Sequence, residues 1–330
     1  MKEKRCLYCY QPLGEGITDF HPKCSRTFFG TDIPPVLDYN NKQMHELAKE
    51  IVIRSVAVTG VQAKLSLTIE KIPGDPKRSR FTIVGLWGDY ILKPPAEEFP
   101  HLPENEDITM HLSEEFGIPT ARHSLIRLKS GELAYITKRF DRIKDKKLAL
   151  EDMCQLTETL TEDKYRGSME KAGKHIAKFS TRPGLDAIHF FETALFCYLT
   201  GNADMHLKNF ALLTTENNEV VFSPAYDLLC TRLAMPEDKE EMALTINAKK
   251  RKLKRSDFDM LARSLNIPEK AISNSYQKFT GKIKEAKKWI DISFLPKKMK
   301  AEYNRVITEN AGKMDLNTHS IGVSGLKSGS

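Results

Sequence analysis

No stretch of this chain is long and apolar enough to suggest a membrane span. The most apolar run, Phe190 to Leu199, is short and carries Glu192, so it reads as a core helix. Met1 to Arg5 is charged and no apolar segment follows it, which excludes a secretory signal and sets the expectation of a cytoplasmic protein with no membrane partner. No internal repeat is present, so a repeat architecture is not expected. A large excess of one charge is also missing: a formal net charge of +7 is modest over 330 residues. The densest basic patch, Lys249 to Arg255, has no interleaved aromatic residue and no helix-turn-helix or RNA-binding signature beside it. It reads as a solvated loop before a helix starting near Ser256, with contact to nucleic acid or an acidic partner as the alternative.

What is present is ordinary for a soluble protein: 40% of residues are apolar and 29% charged, and the length suffices for two domains or two lobes. Of the six cysteines, Cys154, Cys197 and Cys230 lie singly in apolar surroundings and are expected to be reduced core residues. Cys6, Cys9 and Cys24 differ. Cys6-x-x-Cys9 and His21-x-x-Cys24 supply four soft donors in paired spacing, the number and type a tetrahedral structural zinc takes. Pro12 to Gly16 is the expected turn between the two halves. A segment this short cannot form its own core, so a metal would stabilise it. Without metal it would be a reduced strand–turn–strand packed on the main body, and in either case the role is structural.

The run Gly201 to Phe210, followed by Ser223 to Asp227, carries the chemistry. Asp204, Asn209 five residues later and Asp227 downstream are the minimum set for moving a phosphoryl group from ATP. One carboxylate takes or orients the acceptor hydroxyl. Two hard oxygen ligands hold the magnesium that neutralises the phosphates. The run follows an apolar stretch, Ala187 to Leu199, and precedes two short strand patterns, Phe210 to Leu213 and Val220 to Phe222. A polar loop wedged between core elements is a favoured place for functional residues.

The order of elements agrees. Residues 1–30 form the cysteine-bearing cap and 31–41 a connector. A helix is predicted over 41–54, strand–glycine turn–strand over 56–69, strands over 81–86 and 89–93, a helix over 105–116 closed by Gly117, and a hairpin around Ser130-Gly131. Helices dominate from Glu151 onward. This is an α+β chain with a β-rich first lobe (31–142) and a mainly helical second lobe (143–330), nucleotide lying between them. Lys93, ending the apolar strand Tyr90 to Leu92, is the candidate cation for the ATP phosphates, with Glu106 on the next helix as its partner. Thr59, Gly60, Val61 and Gln62 could turn backbone N–H groups onto phosphates. Around Arg139 and Phe140, where the lobes join, the backbone could read the adenine edge.

Taken together, these residues resemble the HipA family of bacterial toxin–antitoxin kinases, in its short, HipT-like form. The matching pieces are Gly60-x-Gln62-x-Lys64, Lys93, Asn105-Glu106, Arg139 to Arg142, Glu151 to Gln155, and the run with Asp204, His206, Lys208, Asn209 and Asp227. The resemblance covers about residues 50 to 310. It implies a bilobal protein-kinase-like fold and serine/threonine kinase activity. It implies Asp204 as catalytic base within a catalytic run that includes His206 and Lys208, and Asn209 and Asp227 on magnesium. Lys64, Lys93 and the Gly60 loop would bind ATP, and Lys138, Arg139 and Phe140 would line the adenine pocket. It further implies an aminoacyl-tRNA synthetase or other translation factor as substrate and a HipB-like helix-turn-helix antitoxin as partner, through which DNA is reached indirectly.

Three departures qualify this. A sizeable N-terminal subdomain of longer members is replaced by the cap, so a separate small protein could stand in for it. The family's autophosphorylated serine, three residues before the loop glycine, corresponds to Ala57. Either Thr59 or Ser55 beside it takes the phosphate, which would repel ATP phosphates, or the switch is lacking. No glycine follows Asp227. Two other classes stay open on the residues alone: a small-molecule or lipid kinase of phosphoinositide-kinase type, and a non-catalytic DNA-binding corepressor.

Overall fold

The computed structural model of the chain describes residues 4–54, 64–85, 87–143 and 146–316. Thr59, Gly60, Val61, Gln62, Ser55 and Ala57 lie outside them. The first 30 residues hold a helix that the paired-ligand reading did not anticipate, α1 (Pro22–Phe29), preceded by a tight turn closed by a bridge between Arg5 and Pro12. Proline at the first position suits a helix start, because its missing N–H would be unpaired there in any case. The expected connector is not slack: Val36 bridges to Arg80 and extends the sheet edge. Helix α2 (Asn41–Arg54) follows, with the predicted bounds.

The first lobe is one antiparallel sheet. Its strands are β1 (Leu65–Ile72), β2 (Asp75–Val84), β3 (Tyr90–Lys93), β4 (His123–Arg127) and β5 (Leu133–Lys138), in spatial order β2-β1-β3-β5-β4. Between β3 and β4 the chain forms α3 (Leu102–Glu115). Alternation sets the faces: Leu65 and Leu67 on β1 are buried, with Ser66 and Thr68 more accessible. Gly88 allows β3 to enter beside β1, since a Cβ there would lie 2.5 Å from the Leu67 carbonyl oxygen. In register, Leu92 faces Leu65 and Ile136, and Lys93 faces Tyr135, which fixes the lysine at the strand end nearest the second lobe.

A short β6 (Arg142–Ile143) and β7 (Lys146–Lys147) lead to β8 (Leu150–Asp152) and α4 (Met153–Leu156). Asp152 and Gln155 close α4 with a capping box. The helices α5 (Met169–Phe179) and α6 (Pro183–Thr200) pack as a pair. Strands β9 (Ala211–Thr214) and β10 (Val220–Phe222) join β8 in a three-stranded antiparallel sheet. The last helices among the described residues are α7 (Thr231–Ala234), α8 (Arg255–Ser264), α9 (Glu269–Ile292) and α10 (Lys297–Lys313). Helix α6 is apolar around most of its circumference, and Phe190, Phe191, Phe196 and Tyr198 are buried with Phe258, Phe279 and Tyr303 from later helices.

Two cores result. The smaller joins the sheet to the N-terminal segment: Cys6, Leu7, Phe20, Phe28 and Phe29 pack with Leu67, Phe81, Tyr90, Leu92 and Ile136. The segment expected as a cap therefore completes the first lobe's core. The larger core fills the helical lobe and takes in Ile108, Met110, Leu112 and Phe116 from α3 and its end. Phe116 stands 4.8 Å, centroid to centroid, from Phe279 of α9. Helix α3 packs against β5 and α9 alike. Among the described residues, no helix is long and apolar enough to cross a membrane.

Candidate active site

The Asp204 run begins where α6 stops. Gly201 ends the helix at φ 70°, a left-handed conformation that glycine adopts without strain, and a Cβ there would meet Val306 at 2.9 Å. The next residues are pinned by local bonds. The Ala203 N–H donates to Thr231 Oγ1 at 3.0 Å, the Asp204 N–H to Asn202 Oδ1 at 3.1 Å and the His206 N–H to the Asp204 carbonyl at 2.8 Å. A single 3-10 turn, Leu207–Asn209, then sets Asn209 so that its Nδ2 faces the Asp204 carbonyl at 3.4 Å. With the amide nitrogen directed there, Oδ1 is the atom left for a cation. Asn209 is buried, and His206 is buried with its Nδ1 unpartnered. Burial lowers the His206 imidazole below its ordinary value, against the opposing pull of Asp204.

A residue that the sequence did not single out completes this part. The Tyr165 hydroxyl donates to Asp204 Oδ1 at 2.6 Å, and its ring stands edge-on to His206 at 5.1 Å. Burial, then the Asp204 carboxylate, raise the Tyr165 hydroxyl well above its ordinary value, so it is a donor. Lys208 turns away from Asp204 to Asp152, whose Oδ2 accepts from its ammonium at 2.8 Å. Asp152 thus serves twice, because its Oδ1 caps α4 through the Gln155 N–H at 3.0 Å.

The second cluster joins the two lobes. Lys93 donates to Glu106 Oε1 at 2.5 Å and also to Asp227 Oδ1, and Lys64 reaches Asp227 Oδ2 at 3.4 Å. The Lys93 and Glu106 side chains are 4% and 1% exposed, against 24% for Asp227. Burial alone would lower Lys93, but Asp227 and Glu106 hold it above its ordinary value. Burial pushes Asp227 up, and Lys64 and Lys93 outweigh that, holding it well below the usual carboxylate range. Glu106 goes the other way: burial first, with Asp227 adding to it against the pull of Lys93, leaves it pushed up to about 7. Asp227 adopts φ 59°, a conformation that costs a non-glycine residue energy and often marks functional positions. Tyr226 anchors it by donating to the Lys208 carbonyl at 2.8 Å.

At the junction between lobes, Lys138, Arg139 and Phe140 line a pocket of about 290 Å³ with Thr120, Arg122 and Pro224. Phe140 packs on Tyr226 at 5.6 Å. In this segment the Arg139 N–H donates to the Asp89 carbonyl at 2.8 Å. The Arg139 guanidinium grips Asp141 at 2.9 and 2.8 Å, and Arg142 reaches the same carboxylate at 2.5 Å. Burial raises the Asp141 carboxyl, but these two guanidinium groups outweigh it and lower it overall. Lys138 lies 5.9 Å over the Tyr90 ring. The structure therefore assembles Asp204 with His206, Asn209 and Tyr165, and Lys93 with Glu106, Asp227 and Lys64. It seats Lys208 on Asp152.

The HipA-like C-terminal domain matches residues 56–287. A Haemophilus influenzae protein named "Putative kinase" is 30% identical over 189 residues, 53% of this chain and 53% of its own length. The Sinorhizobium fredii protein named "Putative kinase Y4dM" is 29% identical over 259 residues, 74% of this chain and 60% of its own. The chain thus spans between about half and three-fifths of the length of these relatives. Among solved structures, Shewanella oneidensis MR-1 HipA, from a complex with HipB and operator DNA, superposes with a TM-score of 0.62 at 21% identity, covering 81% of this chain and 71% of that one. The Helicobacter pylori proinflammatory kinase CtkA gives 0.51 at 17%, covering 69% and 88%. At such identities the two structures speak for the fold, which is α+β and kinase-like, with a β-rich and a helical lobe. Because that domain takes in over two thirds of its residues, the chain belongs to the HipA-like C-terminal domain family.

Proposed function

We propose that this chain is a serine/threonine protein kinase using magnesium-ATP, and the toxin of a toxin–antitoxin pair. One observation carries the catalytic reading. A buried lysine is held between a helix carboxylate and Asp227, while Asp204 accepts a hydroxyl hydrogen bond at 2.6 Å. The Tyr165 hydroxyl stands where an acceptor serine or threonine would present its own. In the proposed step, the acceptor oxygen attacks the γ-phosphorus and its proton passes to the Asp204 carboxylate. The new O–P bond forms as the bond to the β–γ bridging oxygen breaks, and ADP leaves. Lys93, backed by Glu106, would hold the α and β phosphates. Asn209 and Asp227 offer the oxygen donors that suit magnesium, which when bound neutralises phosphate charge. To hold that cation, Asp227 would have to give up its ion pair with Lys93.

The loop from Thr59 to Gln62 would cover the phosphates, with Thr59 or Ser55 as autophosphorylation sites. A translation factor such as an aminoacyl-tRNA synthetase is the proposed substrate, in the cytoplasm. A HipB-like antitoxin is the proposed partner, supported by the HipB and operator DNA bound to the Shewanella protein, and a small separate protein is a second proposed partner. Two cations of the basic run are already engaged by carboxylates of this chain, Lys249 with Asp257 at 2.7 Å and Lys250 with Glu240 at 3.3 Å, which counts against direct DNA binding through them. The test is induced expression of wild type, Asp204→Ala and Asp227→Asn with phosphoproteomics of the cells. Growth arrest and a new phosphate on a translation factor in the wild type alone supports the proposal. Equal arrest by all three overturns it.

A further inference from the structure

The proposed chemistry leaves one constellation unused. Cys6, Cys9, His21 and Cys24 bring four donor atoms within 4.8 Å of one another, and all the cysteines are free thiols. His21 Nδ1 lies 3.4 Å from Cys9 Sγ and 3.8 Å from Cys24 Sγ. Its Nε2 lies 2.9 Å from the Pro12 carbonyl oxygen. A carbonyl only accepts, so Nε2 carries the proton and Nδ1 turns a lone pair toward the thiols. A second hydrogen bond that fixes ring and tautomer in this way is the usual companion of a metal-bound histidine. The nitrogen–sulfur separations suit the edges of a tetrahedron with zinc–ligand bonds of about 2.0 to 2.3 Å. Three thiolates and one imidazole select zinc over the hard cations.

The first of these ligand pairs is joined mechanically to α3. The turn is closed by the Cys6 N–H on the Gln11 carbonyl at 2.9 Å and the Tyr10 N–H on the Cys6 carbonyl at 3.0 Å. Tyr10, one residue past Cys9, adopts φ 60° and is fully buried. Its hydroxyl donates to Asp107 Oδ2 at 2.6 Å, and its ring packs edge-on against His111 at 4.6 Å and Phe294 at 4.9 Å. Asp107 directly follows Glu106, the partner of Lys93. On its other side, Arg5 donates to the Ile292 carbonyl of α9 at 2.8 Å.

Asp107, His111 and His123 form a second close group of metal-binding side chains. Here, however, the two Asp107 oxygens already accept from Tyr10 and, at 2.7 Å, from His123 Nδ1. That group is a hydrogen-bonded network which receives the Tyr10 contact.

We propose that Cys6, Cys9, Cys24 and Nδ1 of His21 bind one zinc ion, and that this ion, by holding Tyr10 on Asp107, braces α3 so that Glu106 meets Lys93. The metal is then a structural part of the lysine–glutamate pair, although it lies outside the cleft.

The test uses the full chain. Metal analysis should find one zinc per chain in the wild type and none in Cys9→Ser/Cys24→Ser. Cobalt(II) loading of the wild type should give the spectrum of a tetrahedral thiolate site, which keeps the test informative if the double variant does not fold. Tyr10→Phe should retain its zinc yet exchange amide hydrogens over residues 104–108 about tenfold faster, the loss of one buried hydrogen bond. A wild type without zinc, or zinc that persists in the double variant, overturns the site. Unchanged exchange in Tyr10→Phe overturns the brace. Neither readout depends on the kinase reading. Only the added expectation of slower ATP turnover in Tyr10→Phe rests on it, so failure of that reading would leave metal content and exchange intact.

Discussion

Glu106→Gln removes one charge and almost no volume from the buried side of α3, and its effect on stability should depend on pH in a defined way. In the folded chain the Glu106 carboxyl titrates at about 7 against an ordinary 4.5, burial being the main cause. Between those values the folded chain keeps a proton that the unfolded chain has released. The stability it contributes is therefore complete below pH 4.5 and is lost as pH rises through 7. At about 1.4 kcal/mol per pH unit the loss comes to about 3 kcal/mol, of which most falls between pH 5 and 8. Glutamine does not titrate, so the variant avoids the loss and should gain on the wild type as pH rises. Urea unfolding at pH 5, 6, 7 and 8 measures this directly, as the difference in unfolding free energy between the two proteins. On the proposed kinase reading, ATP turnover should move the opposite way, falling about tenfold to a hundredfold, because Lys93 would lose its charged partner if Asp227 turned to magnesium. A variant that loses stability relative to wild type as pH rises would refute the reasoning. It would mean that Lys93 keeps Glu106 ionised and that burial is the lesser effect.

Asp227→Asn leaves Lys93 with Glu106 as its carboxylate partner and, on the proposed reading, removes the anionic ligand for magnesium, so ATP turnover should fall by about a thousandfold or more in a radiolabel transfer assay. Tyr165→Phe frees Asp204 Oδ1, and on the proposed reading steady-state kinetics should give a KM for the acceptor about fivefold lower, the worth of about one hydrogen bond. Gly88→Ala sets a Cβ 2.5 Å from the Leu67 carbonyl oxygen, and thermal unfolding should report a loss of about 1–3 kcal/mol from overpacking between β1 and β3. Burial holds the His111 and His123 imidazoles down at about 3 and about 4. Stability they contribute above pH 6.5 is lost as pH falls through those values, and His123→Gln should make the acid limb of a circular dichroism titration shallower.

What was legible in the sequence follows from how far apart the cooperating residues lie. Asp204 and Asn209 share one short turn, so their pairing was visible in the run itself. Lys93 stood out because an ammonium at the end of an apolar strand needs a partner, and Glu106 lay on the next helix. The ligand spacing around Cys6 and Cys24 is equally plain, but Cys24 lies inside α1, whose helical spacing carries Phe28 and Phe29 into the sheet's core. Contacts that depend on tertiary packing were not readable. Tyr165 meets Asp204 from 39 residues away and Tyr10 meets Asp107 from 97. The Arg139 N–H meets the Asp89 carbonyl because of how the chain enters β3, a matter of strand register that composition does not record.

Helix α3 gives Ile108, Met110, Leu112 and Phe116 to the helical lobe's core while its Glu106 and Asp107 serve the sheet and the N-terminal turn. A helix with two such allegiances ties the fates of the lobes together during denaturation. Melting the sheet would strip α3 of its ion pair and its tyrosine, and melting the helices would expose its apolar face. Neither lobe has a self-sufficient boundary at which the transition could pause. Probes of the sheet and of the helices within the described body should therefore report coincident unfolding transitions, despite its two-lobed outline.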